Sequence, residues 1–228
     1  MRADATSADD TTRSAGLDGR VLCSTTMGQP ATAAPLRAMT LEDWGALPED
    51  EAGELVDGVL EDDEMAGWAH EVVVTWLIAV LAGWAKSARA RVAASDAKLG
   101  VSAQRGRKGD VLVYLAGDRR PPGHGIIRVP PSIVVEVVSP SPTDARRDRI
   151  QKLDDYAAFG VRWYWIVDPQ LRTVEIFELG ADGRYARAIG ASEGRLAHVP
   201  GCVGLELDVD AMWADLDAAL AEAEPTNE

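Results

Sequence analysis

Apolar residues recur at helical spacing in three parts of the chain. Over residues 70–84 they return every three or four positions, which predicts an amphipathic helix whose core-facing stripe includes His70. A similar pattern over residues 150–160 ends at a glycine and predicts a second helix, and residues 208–223 are predicted to form the last one. The apolar side of this last helix consists of Met212, Trp213, Leu216 and Leu220.

Short apolar runs bounded by glycine, proline and polar loops predict strands between these helices. They cover residues 98–103, 110–115, 133–138, 162–168 and 173–179. The pair Asp57-Gly58 lies between two further apolar stretches and is typical of a tight hairpin turn, so Glu54 is expected on a strand. The order of helices and strands predicts an α/β or α+β domain around one sheet, without strict strand–helix alternation.

The length of 228 residues suits one domain with short tails. Residues 1–37 are small and polar without apolar periodicity, which predicts a disordered N-terminal tail. The domain is therefore expected over residues 38–222, followed by a flexible C-terminus at residues 223–228.

The formal net charge of −14 is unevenly distributed. Residues 41–64 carry 11 acids and residues 203–228 carry 8, with no lysine or arginine in either segment. Residues 86–120, by contrast, carry nine lysines and arginines against three aspartates. A basic face for nucleic acid is thus compatible with an acidic protein, although charged stretches more often form ordinary solvated surface.

Cysteine content and hydropathy predict a cytoplasmic protein without a membrane segment. Cys23 and Cys202 are the two cysteines, and they have no spaced partners of the kind that form zinc or disulfide frameworks. The first 20 residues contain no apolar core of a signal peptide, and the apolar stretch 72–85 is shorter than the roughly 20 residues of a membrane span.

One carboxylate opens an apolar run and another lies inside the next. Asp110 begins the run DVLVYLA, and Glu136 follows 26 positions later within IVVEVV. A carboxylate in a core strand is costly to desolvate unless a positive charge meets it. Two carboxylates on neighbouring strands suit Mg²⁺, which takes one or two of them and keeps its other positions for water and phosphate. Strand carboxylates that cap a turn or pair with an arginine are an equally common alternative.

Three further side chains are candidates for the same site. Lys152, on the helix after the Glu136 strand, could stabilise a charged transition state, or it could be a solvated lysine beside Asp148. Glu54 could add a third carboxylate, and His70 could hydrogen-bond a metal-bound water or a ligand carboxylate. The competing interpretations are an acidic surface residue for Glu54 and a core histidine for His70.

These motifs together resemble the Uma2 family of restriction-endonuclease-like proteins. The resemblance extends over about residues 38–216 and rests on ELVDG (54–58), His70, GDVLVY (109–114), IVVEVVSPS (133–141), DRIQKLDDYAAFGVRWYWIVDP (148–169) and TVEIFEL (173–179). It implies the PD-(D/E)xK nuclease fold, in which helices flank a central mixed β-sheet. Asp110 would match the aspartate of the PD element and Glu136 the acidic residue of the (D/E)xK element.

The chain departs from that pattern at two positions. Gly109 replaces the proline before Asp110, and Val138 stands where the lysine two residues after Glu136 is expected. Either Lys152 or Lys98 supplies the missing cation, or the site binds metal without cutting.

The resemblance implies a Mg²⁺-dependent endonuclease, with Mn²⁺ as a possible substitute, that hydrolyses phosphodiester bonds in DNA. The alternative is a catalytically silent nucleic-acid-binding or assembly module with the same fold. In both cases Arg105, Arg107 and Lys108 are the candidate phosphate contacts. A homodimer is compatible with double-strand cutting by analogy, because one site cuts one strand.

Overall fold

A computed structural model describes residues 38–48, 53–61, 66–94, 97–141 and 145–223. The predicted N-terminal tail and residues 224–228 lie outside the described residues. The helices are α1 (Leu41–Gly45), α2 (Trp68–Ala88), α3 (Lys152–Phe159) and α4 (Val209–Ala223). A π-helical turn, Arg147–Gln151, leads directly into α3. The three longer helices were all expected from the apolar periodicity.

Twelve strands are present in the described part of the chain. They are β1 (Glu54–Val56), β2 (Val59–Glu61), β3 (Arg91–Ala94), β4 (Lys98–Ser102), β5 (Arg105–Lys108), β6 (Val111–Tyr114), β7 (Ile133–Val137), β8 (Trp163–Asp168), β9 (Thr173–Leu179), β10 (Tyr185–Ala191), β11 (Arg195–Leu196) and β12 (Leu207–Asp208). A six-stranded sheet has the order β10-β9-β8-β7-β6-β3, and a four-stranded sheet has the order β2-β1-β5-β4. The predicted hairpin at Asp57-Gly58 joins β1 to β2, with positive φ at both turn residues.

The six-stranded sheet is mixed and has helices on both faces, which confirms the expected architecture. Strands β7 and β8 run parallel, and the other neighbours in this sheet are antiparallel. Helices α2 and α4 pack on one face, against residues such as Val135 and Trp165. Helix α3 packs on the other face, where Tyr156 contacts the layer that contains Val134 and Tyr164.

The alternation of side chains in β7 places Glu136 on the α3 face. Ile133, Val135 and Val137 belong to the core under α2, whereas Val134 and Val138 belong to the core under α3. Because successive strand residues point to opposite faces, Glu136 shares the face of Val134 and Val138. This face therefore carries the candidate chemistry.

The described chain forms separate six-, four- and two-stranded sheets where one sheet was expected, and β5 and the end of α4 also differ from the sequence-based expectation. Strand β5 was expected to be a loop, because its sequence RGRK has no apolar residue. Gly106 explains why it is a strand: a Cβ there would lie 2.3 Å from the Trp44 ring, so the bare backbone packs directly on α1. Leu220 was expected in the core but is 39% exposed, whereas Leu216, one turn earlier in α4, is buried.

Helix α2 is long and apolar enough to cross a membrane by length and composition alone. One side of it packs into the core of the domain through Val73, Leu77 and Leu81, all fully buried. The core helix of a folded domain meets the same length and hydropathy criteria. The expected absence of a membrane segment stays a prediction.

Candidate active site

Asp110, the residue immediately before β6, lies beside Glu136 of β7. The antiparallel register pairs Val111 of β6 with Val135 of β7, so the next position along each strand places Asp110 opposite Glu136. Glu136 shares the face of Val134 and Val138 under α3, and Asp110 lies at the end of β6, where His70 of α2 also reaches it. Directly opposed residues in an antiparallel pair have Cβ atoms about 5 Å apart. The expected pair of carboxylates on neighbouring strands is therefore present.

Asp110 is held from two sides. Its Oδ2 accepts a hydrogen bond of 2.7 Å from the Val137 amide, and His70 Nε2 lies 3.3 Å from the same oxygen. The expected contact between His70 and a candidate ligand carboxylate is thus observed. Burial of the imidazole opposes its charge, but the hydrogen bond and charge of Asp110 outweigh that effect and raise the pKa of His70.

Glu136 is buried and has a partner on each oxygen, both from α3. Lys152 Nζ donates to Oε2 at 2.9 Å, and the Tyr156 hydroxyl donates to Oε1 at 2.5 Å. Burial is the main cause that raises the pKa of Glu136 well above its ordinary value. The negative charges of Asp110 and Asp148 raise it further, and the Lys152 ammonium counteracts them only in part.

Lys152 lies at the centre of the site, within reach of three carboxylates. Besides Glu136, its Nζ lies 3.3 Å from Asp148 Oδ1 and 3.7 Å from Glu54 Oε1. Burial disfavours the ammonium, but these carboxylates outweigh burial and raise the pKa of Lys152 well above its ordinary value. Lys152 thus contacts Glu136, the carboxylate for which the family pattern expects a lysine at the position of Val138.

Asp148 and Tyr156 are site residues that the sequence reasoning did not identify. Asp148 lies in the π-helical turn before α3, a distortion that often marks functional sites, and the turn directs its carboxylate to Lys152. Its spacing of four from Lys152 is visible in the sequence. That spacing is equally typical of exposed helix ion pairs, so it does not distinguish a buried pair from a solvated one.

Lys98, the second candidate for the missing cation, points away from Glu136. Its Nζ donates to the carbonyl oxygens of Trp44 and Leu47 at 3.0 and 3.2 Å, at the end of α1. Lys152 is therefore the lysine that contacts Glu136 in the structure, and its assignment as the replacement for the lysine absent at Val138 stays a prediction.

Glu54 is buried on β1 between Lys152 and β5. Its Oε1 accepts from the Lys108 amide at 2.7 Å, and its Oε2 accepts from Arg107 at 2.8 Å. Burial would raise the pKa of Glu54, but the charges of Lys152 and Arg107 outweigh burial and lower it. Direct metal ligation by Glu54 stays a prediction, and its observed contacts hold Lys152 and β5 in place.

Arg107 is fully buried, which contradicts its expected contact with phosphate. Its guanidinium pairs with Glu54 at 2.8 Å and with Asp155 of α3 at 2.6 Å. Arg105 shares Asp155 and also pairs with Asp57 at 2.9 Å. The expected basic loop is thus a strand whose two arginines bind the domain's own carboxylates, because α3 and β1 bring those carboxylates alongside it.

The structure predicts that Arg107 contributes to stability and makes no contact with nucleic acid. Replacing Arg107 with Met removes the buried cation that Glu54 and Asp155 share and leaves them only Lys152 and the partly exposed Arg105, a loss of up to about 3–5 kcal/mol. Urea unfolding should show this loss, whereas the exposed control Arg119→Met should unfold like the parent protein. Equal unfolding free energies for the two variants would contradict the buried network.

The charge balance of the site leaves room for a cation. Six carboxylates, from Glu54, Asp57, Asp110, Glu136, Asp148 and Asp155, surround three permanent cations, from Arg105, Arg107 and Lys152, and this excess of negative charge adds to burial in raising the pKa of Glu136 and Asp148. Within the described ranges, no group of three or more histidine, cysteine or acidic residues is arranged to hold a metal. The donor set that fits Mg²⁺ is therefore the pair Asp110 and Glu136, with water and phosphate in the remaining positions.

A mixed sheet with opposed carboxylates and a lysine from the following helix defines a protein of the restriction-endonuclease fold class. The chain belongs to the Uma2 family, described as "Putative restriction endonuclease", whose family model matches residues 39–210. The suspected family assignment is confirmed.

A solved structure shares this fold. A "putative nuclease belonging to DUF820" from Anabaena variabilis is 19% identical, with a TM-score of 0.62, and the match covers 78% of this chain and 99% of that protein. The type IIG restriction endonuclease BpuSI is 12% identical with a TM-score of 0.36, over 71% of this chain and 18% of the enzyme. No curated protein sequence matches the chain.

Proposed function

We propose that the protein is a Mg²⁺-dependent endonuclease that hydrolyses phosphodiester bonds in DNA. The observation that carries the proposal is the contact of 2.9 Å between Lys152 Nζ and Glu136, beside Asp110 at the start of β6. In this proposal Lys152 takes the place of the lysine absent at Val138. Family membership supports nuclease activity, and restriction endonucleases act on DNA.

Asp110 and Glu136 would hold the metal ion. A bound Mg²⁺ at these carboxylates supplies a Lewis acid for the phosphoryl oxygen and lowers the pKa of a water molecule. One carboxylate oxygen of Asp110 has no hydrogen-bond partner among the described residues, and the side chain is 18% exposed. The pair therefore fits an ion that enters from solvent and requires few protein ligands.

The other side chains of the site orient this pair and supply positive charge. Tyr156 and the Val137 amide fix the directions of Glu136 and Asp110, and His70 supports Asp110 from α2. The Lys152 ammonium lies where it can stabilise the negative charge that develops on the phosphorane. Glu54 and Asp148 keep this ammonium charged and in place.

A silent binding module is the second candidate, and one observation favours it. Both oxygens of Glu136 are already bound, by Lys152 and Tyr156, so a metal ion has to share or displace one of these partners. In this alternative, Lys152 neutralises the carboxylates permanently and the fold serves in binding or assembly alone.

Cleavage of supercoiled plasmid by the purified protein tests the proposal. We expect nicked or linear DNA in the presence of Mg²⁺ or Mn²⁺ and intact plasmid in the presence of EDTA. Direct linearisation would indicate a dimer, because one site cuts one strand. Intact plasmid with both metals, in a preparation that binds DNA, would support the silent module.

A further inference from the structure

A second feature of the α3 face is an open cavity of about 410 Å³ beside the candidate active site. Two arginines, Arg149 and Arg187, line it together with Glu175 and the residues Thr173 and Ser192. None of these residues contributes to the network around Lys152. The cavity is therefore a separate feature from that network.

The strand register places this cavity on the same row of the sheet as Glu136. Glu136 pairs with Ile166 of β8, Ile166 pairs with Glu175 of β9, and Glu175 pairs with Gly190 of β10. Glu136 and Glu175 are thus two strands apart on one face, at a backbone separation of about 10 Å. A polynucleotide backbone bound at Glu136 would reach the cavity within one or two nucleotides.

A β-bulge directs Arg187 into the cavity. Arg187 pairs with Phe177 and Ile189 pairs with Ile176, so one extra residue of β10 lies between these pairs. Residues two apart in a regular strand share a face of the sheet. The extra residue in the bulge instead places the side chains of Arg187 and Ile189 on opposite faces. Ile189 packs against the core under α2, whereas Arg187 Nη1 lies 3.2 Å from Glu175 on the α3 face.

Arg149 enters from the π-helical turn, next to Asp148 of the candidate active site. Its Nη2 donates to Asp168 Oδ2 at 2.9 Å, and its Nε lies 3.8 Å from Glu175 Oε2. The Oδ1 of Asp168 accepts from two backbone amides of the turn after β8, so Asp168 is a fixed anchor. Arg149 is thereby held at the edge of the cavity, 29% exposed.

We propose that Arg149 and Arg187 form a subsite for a DNA phosphate that flanks the cleaved bond. Each guanidinium has five N–H donors, and the observed contacts leave donors on both that can reach a phosphate oxygen. Glu175 lies between the two arginines and limits their positive charge when DNA is absent. This assignment rests on the proposed action on DNA.

Binding of a fluorescein-labelled DNA duplex, measured by anisotropy in EDTA over a range of KCl concentrations, tests the subsite without cleavage. Arg187→Gln is the main variant, because the side chain is 61% exposed and its loss does not threaten the fold. We expect affinity to fall about ten- to hundredfold and the log–log salt slope to decrease by roughly 0.9. Arg149→Gln should behave similarly, once circular dichroism shows that it is folded.

Two further variants sharpen the test. Arg184→Gln removes an exposed arginine just before β10, outside the cavity, and should leave the salt slope unchanged. Glu175→Gln removes the competing carboxylate and should tighten binding several-fold. Equal slopes for the parent, Arg187→Gln and Arg184→Gln proteins would overturn the subsite even if the enzyme cuts DNA, and so would a parent that does not bind DNA. If the variants differ in salt slope as expected but the protein does not cut DNA, the subsite is supported and only the nuclease activity is rejected.

Discussion

Glu136→Gln is expected to abolish Mg²⁺-dependent cleavage and to leave the protein as stable as the parent or slightly more stable at pH 7. The amide keeps the size of the side chain and can still contact Lys152 and Tyr156, but it carries no charge to hold a divalent ion. Asp110→Asn should abolish cleavage for the same reason. Plasmid cleavage and thermal unfolding without metal measure the two effects separately.

The expected stability of the Glu136→Gln protein follows from the raised pKa of Glu136. Because its pKa in the folded state lies above the ordinary value of 4.5, the ionised form is disfavoured in the folded protein, and stability falls as pH rises above that value. The gain in unfolding free energy of Glu136→Gln over the parent protein should therefore be absent below about pH 4.5 and grow towards pH 7. Glu178→Gln, near the end of β9 with a side chain that is 44% exposed, is the matched control and should change neither cleavage nor this pH dependence. Parental cleavage by both Glu136→Gln and Asp110→Asn would reject the metal site.

The carboxylate pair can be identified from the sequence because a charged side chain in or beside an apolar run is costly to bury. Asp110 and Glu136 interrupt or border apolar runs, and the cost of burying a charge marks such positions without any knowledge of the fold. Lys152 was identifiable because its helix follows the Glu136 strand directly. The family motifs then implied a central mixed sheet flanked by helices, whereas the strand order and the face that carries Glu136 are visible only in the structure.

The error at Arg107 shows what sequence alone does not contain. The segment RGRK has the composition of a solvated basic loop, and nothing local indicates that Trp44 covers Gly106 or that Glu54 and Asp155 approach the arginine. These partners are about 50 residues away in either direction along the chain. Whether a charged residue is buried depends on such tertiary contacts. The charge pattern of this segment therefore predicts an exposed surface, whereas the folded protein buries Arg107 in a network of ion pairs.

The burial of Lys152 also changes what its removal should do. The ammonium contacts three carboxylates in the core, so Lys152→Met should lower the unfolding free energy by about 3–5 kcal/mol at pH 7. The exposed control Lys86→Met should leave stability unchanged. Cleavage rates therefore have to be compared under conditions in which circular dichroism shows both variants to be folded.

Under those conditions we expect Lys152→Met to cut about 10²- to 10³-fold more slowly at saturating Mg²⁺, because the charge on the phosphorane loses its stabilising cation. Metal affinity should not fall with the rate, since an ammonium has no lone pair to donate to a metal ion and its removal frees the Glu136 oxygen that it contacts. Adding Val138→Lys to this variant should restore part of the rate, because residue 138 shares the face of Glu136, although its buried position limits the gain. Calorimetric titration of Mg²⁺ and single-turnover cleavage measure the two quantities. A folded Lys152→Met protein that cuts at the parental rate would exclude Lys152 from the chemistry, whereas a slow variant that Val138→Lys accelerates would show that the lysine has moved from the strand to α3.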